Sequence, residues 1–191
     1  KRFIVSNKIK DEYIDRLTSE LQTKKVGDPA LPETDCGPLI TPRAAMLAEQ
    51  YINDAIAQGA RLILGGRRFK ETFIEPTVPE VTPQMDIARD QEVFAPVWPV
   101  IGFNTVDEAI AIANNTKYGL SSGVAGKDVR TLLKVARSIE SGACILNGSS
   151  DYRSYDQAFG GYKMTGIGRE GARHTMEQVT QLKTIVLKQC Y

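Results

Sequence analysis

The segment "QAFGGYKMTGIGREG", residues 157–171, contains Gly166-Ile-Gly168-Arg-Glu-Gly171, a literal match to G-x-G-x-x-G. Read as a dinucleotide fingerprint it would fix the fold at once, because that motif joins a strand to a helix whose N-terminus receives a pyrophosphate. The context argues against it. The preceding stretch "NGSSDYRSYDQAFGG" (147–161) is polar and turn-rich, not a strand, and too little chain follows Gly171 to complete a second strand–helix unit. A helix does suit "EGARHTMEQVTQL" (170–182). The glycines therefore belong to another kind of loop, and the fold has to be read outward from it.

Moving upstream, "ACILN" (143–147) reads as a buried strand, and "DVRTLLKVARSIESG" (128–142) as a helix. Val129, Leu132, Leu133, Ala136 and Ile139 share one face of that helix, with Gly142 as its stop. "LSSGVAG" (120–126) is a strand. "APVWPVIGF" (95–103) is another, leading into Thr105-Val-Asp-Glu108, a capping box that opens the helix "DEAIAIANN" (107–115). "RLILGG" (61–66) and "FIEPTV" (73–78) are short strands, the proline of the second predicting an edge position. Thr41-Pro42 starts a helix that runs through Ala48, Ile52 and Ile56 and stops at Gly59. Residues 26–42, with four prolines and two glycines, form an extended loop. Tyr13, Leu17 and Leu21 mark an amphipathic helix after the strand "RFIVSN" (2–7). This alternation argues an α/β fold: a doubly wound, mostly parallel sheet with flanking helices. "KTIVLK" (183–188) adds a C-terminal strand with no following element to pair with.

The 191 residues, 42% apolar and 25% charged, have ordinary globular composition and suffice for one moderately large domain. A net charge of +1 offers no electrostatic argument for nucleic acid or an anionic membrane. "GGRR" (65–68), the densest basic spot, reads as a solvated turn. No apolar run approaches the roughly 20 residues that span a bilayer. Cys36, Cys144 and Cys190 form neither a disulfide framework nor a C-x-x-C motif, which favours a reducing, cytoplasmic compartment. The single histidine, His174, leaves no ligand set for zinc and reads as a surface residue. A chain that opens on a strand at Lys1 is expected to be a fragment, with any N-terminal signal outside it.

In parallel α/β sheets, sites gather at the carboxyl ends of strands. Two segments fall there: "DQEVFAPV" (90–97) and the long loop 147–168, of a length that is often functional.

Four motifs, "QEVFAPV", "NNTKYGLSSGV", "SGACILN" and "FGGYKMTGIGREG", follow one another in an order and spacing that resembles the C-terminal catalytic-domain part of NAD(P)-dependent aldehyde dehydrogenases. "KVGDPALPETDCGPLI" resembles a loop of the same family, so the likeness covers nearly the whole chain. It implies a catalytic-domain fragment over 1–179 and an oligomerisation arm over 180–191, with a homo-oligomer formed through the C-terminal strand. The implied cofactor is NAD or NADP, the substrate a small-molecule aldehyde, and no metal takes part. In that family a cysteine thiolate attacks the aldehyde, hydride passes to the nicotinamide, and water hydrolyses the thioester. The nucleophile, the general-base glutamate and the oxyanion donors match positions upstream of Lys1. This chain therefore contributes no catalytic residue, and Cys36 and Cys144 are structural.

By match to the family's E-x-F-G-P motif, Glu92 binds the nicotinamide ribose hydroxyls and Phe94 packs near the ring. The sequence departs from the motif at Ala95, where the family has glycine. The glycines of 157–171 are implied to shape a tight loop and helix entry beside the aldehyde tunnel. Tyr152, Arg153 and Phe159 fall in the part of the pattern that lines it. Members resembling "SSDYR" act on lactaldehyde and on small aldehydes carrying an anion, which an arginine fork at 153 suits. The plainer reading of Arg153 is a surface residue paired with Asp151 or Asp156. The alternative for the whole chain is a non-catalytic homologue that keeps the fold as an assembly module.

Overall fold

Strand and helix alternate through the computed structural model, which describes residues 1–189. The chain divides into two compact units, Lys1–Thr116 and Lys117–Tyr191.

The first unit holds a four-stranded sheet ordered β1-β6-β5-β2, made of Phe3–Ser6, Val100–Phe103, Val78–Val81 and Arg61–Leu64. β1, β6 and β5 run parallel, and β2 joins antiparallel at one edge. Alternate residues of these strands enter different apolar clusters, as a sheet covered on both faces requires. Val5, Val78 and Val100 pack with Ile14 and Leu21 of α1 (Lys10–Gln22). Ile74, Val81 and Ile101 pack with Ala45, Ala48, Ile52 and Ala55 of α2 (Pro42–Ala57) and Ile112 of α3 (Val106–Asn114). The local signals for these helices work as read. Thr41 Oγ1 accepts from Ala44 N–H at 3.1 Å with Pro42 at the first helical position. Thr105 Oγ1 accepts from Glu108 N–H at 3.2 Å, and the Glu108 carboxylate accepts in return from Asn104 N–H at 2.7 Å.

"FIEPTV" corrects the expectation of one edge strand. The chain breaks at Pro76: Phe73–Ile74 (β4) forms a small hairpin with Arg68–Phe69 (β3), and β5 begins at Val78 as an interior strand. β5 carries a proline of its own, Pro79, opposite Leu62, where the β2 ladder is irregular between Leu62 and Leu64. A proline lacks the N–H a regular ladder needs, so an interior position is tolerated beside such a bulge. The basic spot is paired as well as solvated: Arg67 bonds Glu75 and Arg68 bonds Glu49, each at 2.8 Å.

In the second unit β7 (Ser121–Val124) and β8 (Ala143–Leu146) pair in parallel, connected by α4 (Val129–Ser138). Asp128 caps α4 by accepting from Arg130 and Thr131 N–H, and Leu132 and Val135 are its buried residues. Two expectations are corrected here. α4 ends at Ser138, four residues before Gly142, and β8 is half-buried with Leu146 exposed. Gly142 serves close approach instead of helix termination. A Cβ there would stand 1.6 Å from the Gly160 carbonyl oxygen. Gly119 meets the same crowding, its carbonyl accepting from both Gly142 N–H (3.0 Å) and Tyr162 N–H (2.9 Å). Three backbone segments thus touch with no side chain between them, which accounts for the glycines of "YGLSSG", "SGAC" and "FGGYK".

Helix α5 (Ala172–Val179) buries none of its residues. After it, residues 180–189 take no regular secondary structure, and Leu182, Ile185, Val186 and Leu187 are exposed. The strand expected at 183–188 has no ladder partner among the described residues.

Candidate functional site

In the first unit a 3-10 turn at Asp86–Ala88, with Ile87 and Ala88 buried, delivers the chain into an extended run toward β6. Its side chains alternate. Val93 (6% exposed) and Ala95 (7%) point into the apolar cluster of α2 and α3. Glu92 and Phe94 point outward, and Phe94 is 80% exposed. The alternation of buried and exposed residues therefore places the carboxylate and the ring on the outer side of a run anchored from the other. Ala95 fits without strain: it is not among the residues at positive φ, and its methyl is buried in the core. Its carbonyl accepts from Lys1 Nζ at 2.7 Å and from Val97 N–H at 2.8 Å, which tethers the run to the residues leading into β1. Beside Glu92, the side-chain oxygen of Gln91 is buried with no hydrogen-bond donor among the described residues. The outward side of the run thus presents one carboxylate, Glu92, and one exposed aromatic ring, Phe94.

In the second unit the loop after β8 begins at Asn147, whose left-handed backbone (φ 52°) turns the chain while its side chain accepts from Gly126 N–H at 2.8 Å. Ser150 is tied back to β7 through its carbonyl, which accepts from Ser121 Oγ at 2.7 Å. Tyr152 follows, 63% exposed. The Arg153 guanidinium lies 4.0 Å above the Phe159 ring, and Arg153 Nη2 stands 3.5 Å from Glu170 Oε2. The ion pair with Asp151 or Asp156 is thus replaced by one with Glu170, a residue that spacing along the chain did not single out. Phe159 and Glu170 exchange backbone hydrogen bonds at 3.0 and 2.6 Å, closing the loop as an isolated antiparallel bridge.

The glycines that opened the question do take conformations other residues avoid: Gly166, Gly168 and Gly171 lie at φ 119°, 89° and 132°. Arg169, between them, donates to the carbonyls of Gly161 (3.1 Å) and Gly168 (2.6 Å), its guanidinium carbon 5.5 Å from the centre of the Tyr162 ring. They shape a turn, and Gly171 leads into α5.

Burial pushes the Cys36 thiol above its usual value, partly opposed by the Lys1 ammonium, which is the wrong direction for a nucleophile. Cys144 sits in β8, half-buried, and both thiols are free. Cys190 lies outside the described residues. His174 is half-buried on α5 instead of fully at the surface. Among the described residues no cluster of His, Cys, Asp or Glu could hold a metal ion, and no helix is long and apolar enough to cross a membrane.

Comparison with known proteins places these surfaces in context. Residues 1–185 match the model of the aldehyde dehydrogenase family. A lactaldehyde dehydrogenase of Methanococcus aeolicus is 36% identical over 186 residues, covering 97% of this chain and 40% of that protein. The structure of a glyceraldehyde-3-phosphate dehydrogenase from Methanocaldococcus jannaschii complexed with NADP superposes with a TM-score of 0.94 at 37% identity, over 98% of this chain and 41% of that one. A Mycobacterium tuberculosis aldehyde dehydrogenase complexed with NAD+ gives 0.90 at 36% identity, over 100% and 40%. The chain spans about 40% of the length of the curated relatives it matches.

Proposed function

Because the chain belongs to the aldehyde dehydrogenase family, we propose that it forms part of an enzyme oxidising a small aldehyde to a carboxylic acid with NAD or NADP. The bound dinucleotide supplies the hydride acceptor. The nucleophilic thiol and the general base come from outside these 191 residues. What this chain contributes is positioning. The Glu92 carboxylate accepts hydrogen bonds from two vicinal ribose hydroxyls, and the Phe94 ring limits where the nicotinamide can lie. The observation that carries this is the outward pairing of Glu92 and Phe94 on a run whose alternate residues, Val93 and Ala95, are locked in the core. An anchored backbone holds its two contacts without further ordering when the cofactor binds.

Glu92→Gln in the full-length enzyme keeps the shape and weakens a charge-assisted hydrogen bond worth roughly 1.5–3 kcal/mol. Hydride transfer then slows by about 10- to 150-fold, and an aldehyde deuterated at C1 shows a larger isotope effect on turnover. An unchanged rate with an unchanged isotope effect would assign Glu92 to the surface.

The substrate class follows from the second unit. Tyr152, Arg153 and Phe159 line the aldehyde path, and the Arg153 guanidinium, 4.0 Å above the Phe159 ring, recognises a carboxylate or phosphate on the substrate. The segment after α5 forms an arm through which subunits associate, supported by the exposed Leu182, Ile185, Val186 and Leu187. Two free thiols in the described chain fit a cytoplasmic setting.

A further inference from the structure

We propose that Glu170 sets how strongly the enzyme prefers anionic aldehydes, by neutralising Arg153 until a substrate anion takes its place. This rests on Arg153 acting as the anion-recognition group.

The geometry of the bridge carries the argument. Phe159 and Glu170 are directly opposed and exchange both backbone hydrogen bonds, so their side chains leave the bridge on the same side. Arg153 meets both of them. Its guanidinium carbon is 4.0 Å from the centre of the Phe159 ring, and Nη2 is 3.5 Å from Glu170 Oε2. The ring lies under the guanidinium, while the carboxylate stands at long range from a single nitrogen. Both side chains keep solvent access, at 45% for Arg153 and 73% for Glu170. Such a pair is weak and readily exchanged. An incoming carboxylate that reaches two nitrogens at once makes the stronger contact.

The nearby cations are engaged elsewhere. Arg169 donates to the Gly161 and Gly168 carbonyls, and Arg173 pairs with Glu177 at 3.0 Å. Arg153 is therefore the cation that Glu170 offsets, and while they are paired the guanidinium charge is partly covered by a carboxylate. Removing the Glu170 charge would leave Arg153 on its ring with its positive field uncovered.

The test is a double-mutant cycle in the full-length enzyme, reading kcat/KM for succinate semialdehyde against butanal, which has the same chain length and no charge. Glu170→Gln is expected to raise the ratio of the two about 2- to 5-fold, as loss of an exposed opposing charge allows. Arg153→Ala lowers that ratio, and adding Glu170→Gln to Arg153→Ala changes it no further. Calorimetric affinities for succinate and succinamide need no turnover, and they follow the same pattern if the glutamine variant is a slow catalyst. A ratio and a succinate affinity that stay level or fall in Glu170→Gln, while Arg153→Ala still lowers the ratio, overturn the role of Glu170 and leave that of Arg153 standing. A ratio unmoved by Arg153→Ala removes both.

Discussion

In Lys1–Thr116 side chains fill the space between sheet and helices, whereas in Lys117–Tyr191 backbone meets backbone. The first unit buries Ile52, Ile74, Val97, Val100 and Ile101 completely, in two clusters on opposite faces of one sheet. In the second, Leu132 and Val135 are the buried apolar side chains among the described residues, and backbone stands tight against backbone at Gly119, Gly123, Gly142 and Gly160. The two candidate surfaces are thus held by unlike forces. The Glu92–Phe94 run inherits its rigidity from an apolar core beneath it. The Arg153–Phe159–Glu170 loop inherits its shape from glycine contacts and from backbone angles that other residues resist.

Opposite sensitivities to substitution follow. Gly142→Ala carries the largest expected effect. Its methyl would stand 1.6 Å from the Gly160 carbonyl oxygen, so two backbone segments must part. A loss of about 4 kcal/mol or more places it among the exceptional substitutions. Hydrogen exchange at the β7 and β8 amides should accelerate accordingly, and unchanged protection there would show that the glycine contacts are incidental. Ile52→Ala tests the other unit in the other direction, since a completely buried isoleucine leaves a cavity. About 2–5 kcal/mol is expected. Trp98, the single tryptophan, belongs to the first unit, so its fluorescence in denaturant reports that loss.

Gly166→Ala separates crowding from backbone strain. A Cβ at Gly166 meets nothing within 4 Å, but φ is +119°. A cost of about 1–3 kcal/mol, smaller than at Gly142, would be strain alone. No cost would mean that the turn relaxes freely.

The smallest effect concerns charge in the first unit. Burial alone would raise the Glu80 carboxyl, but hydrogen bonds from Lys10 and Arg61 outweigh it and hold the group below its usual value. A carboxyl depressed in the folded state contributes stability that is present above its unfolded value of about 4.3 and is lost as pH falls through the folded one. Glu80→Gln should therefore flatten the acid side of the Trp98 unfolding midpoint plotted against pH. A profile as steep as before would assign acid sensitivity to other carboxylates.

The helices were legible because their signals are local. Thr41 with Pro42, Thr105 with Glu108, and Asp128 each satisfy N–H groups within a few residues, whatever lies beyond. The strand β5 was not legible, because Pro79 argues against an interior place until β2 and β6 flank it and the β2 ladder bulges opposite. Gly142 looked like a helix stop for the same reason: its true neighbour, Gly160, is remote in sequence. In the candidate site, Glu92 and Phe94 stood out through a motif in one short extended run, where alternation fixes which residues share a side. Glu170 did not, since a bridge had to close the loop before it could face Phe159 and Arg153.

Where helices start, the alternation of strands and helices, and the four motifs that tie the chain to its family are all readable from residue order. Those features depend on residues a few positions apart, within reach of one turn or one pleat. The interior place of Pro79 in its sheet, the lack of room for a side chain at Gly142, and the sharing of Arg153 between a ring and a carboxylate emerge only in the folded chain. Each of these depends on atoms brought within a few ångströms from distant parts of the chain, and local propensity carries no information about that distance.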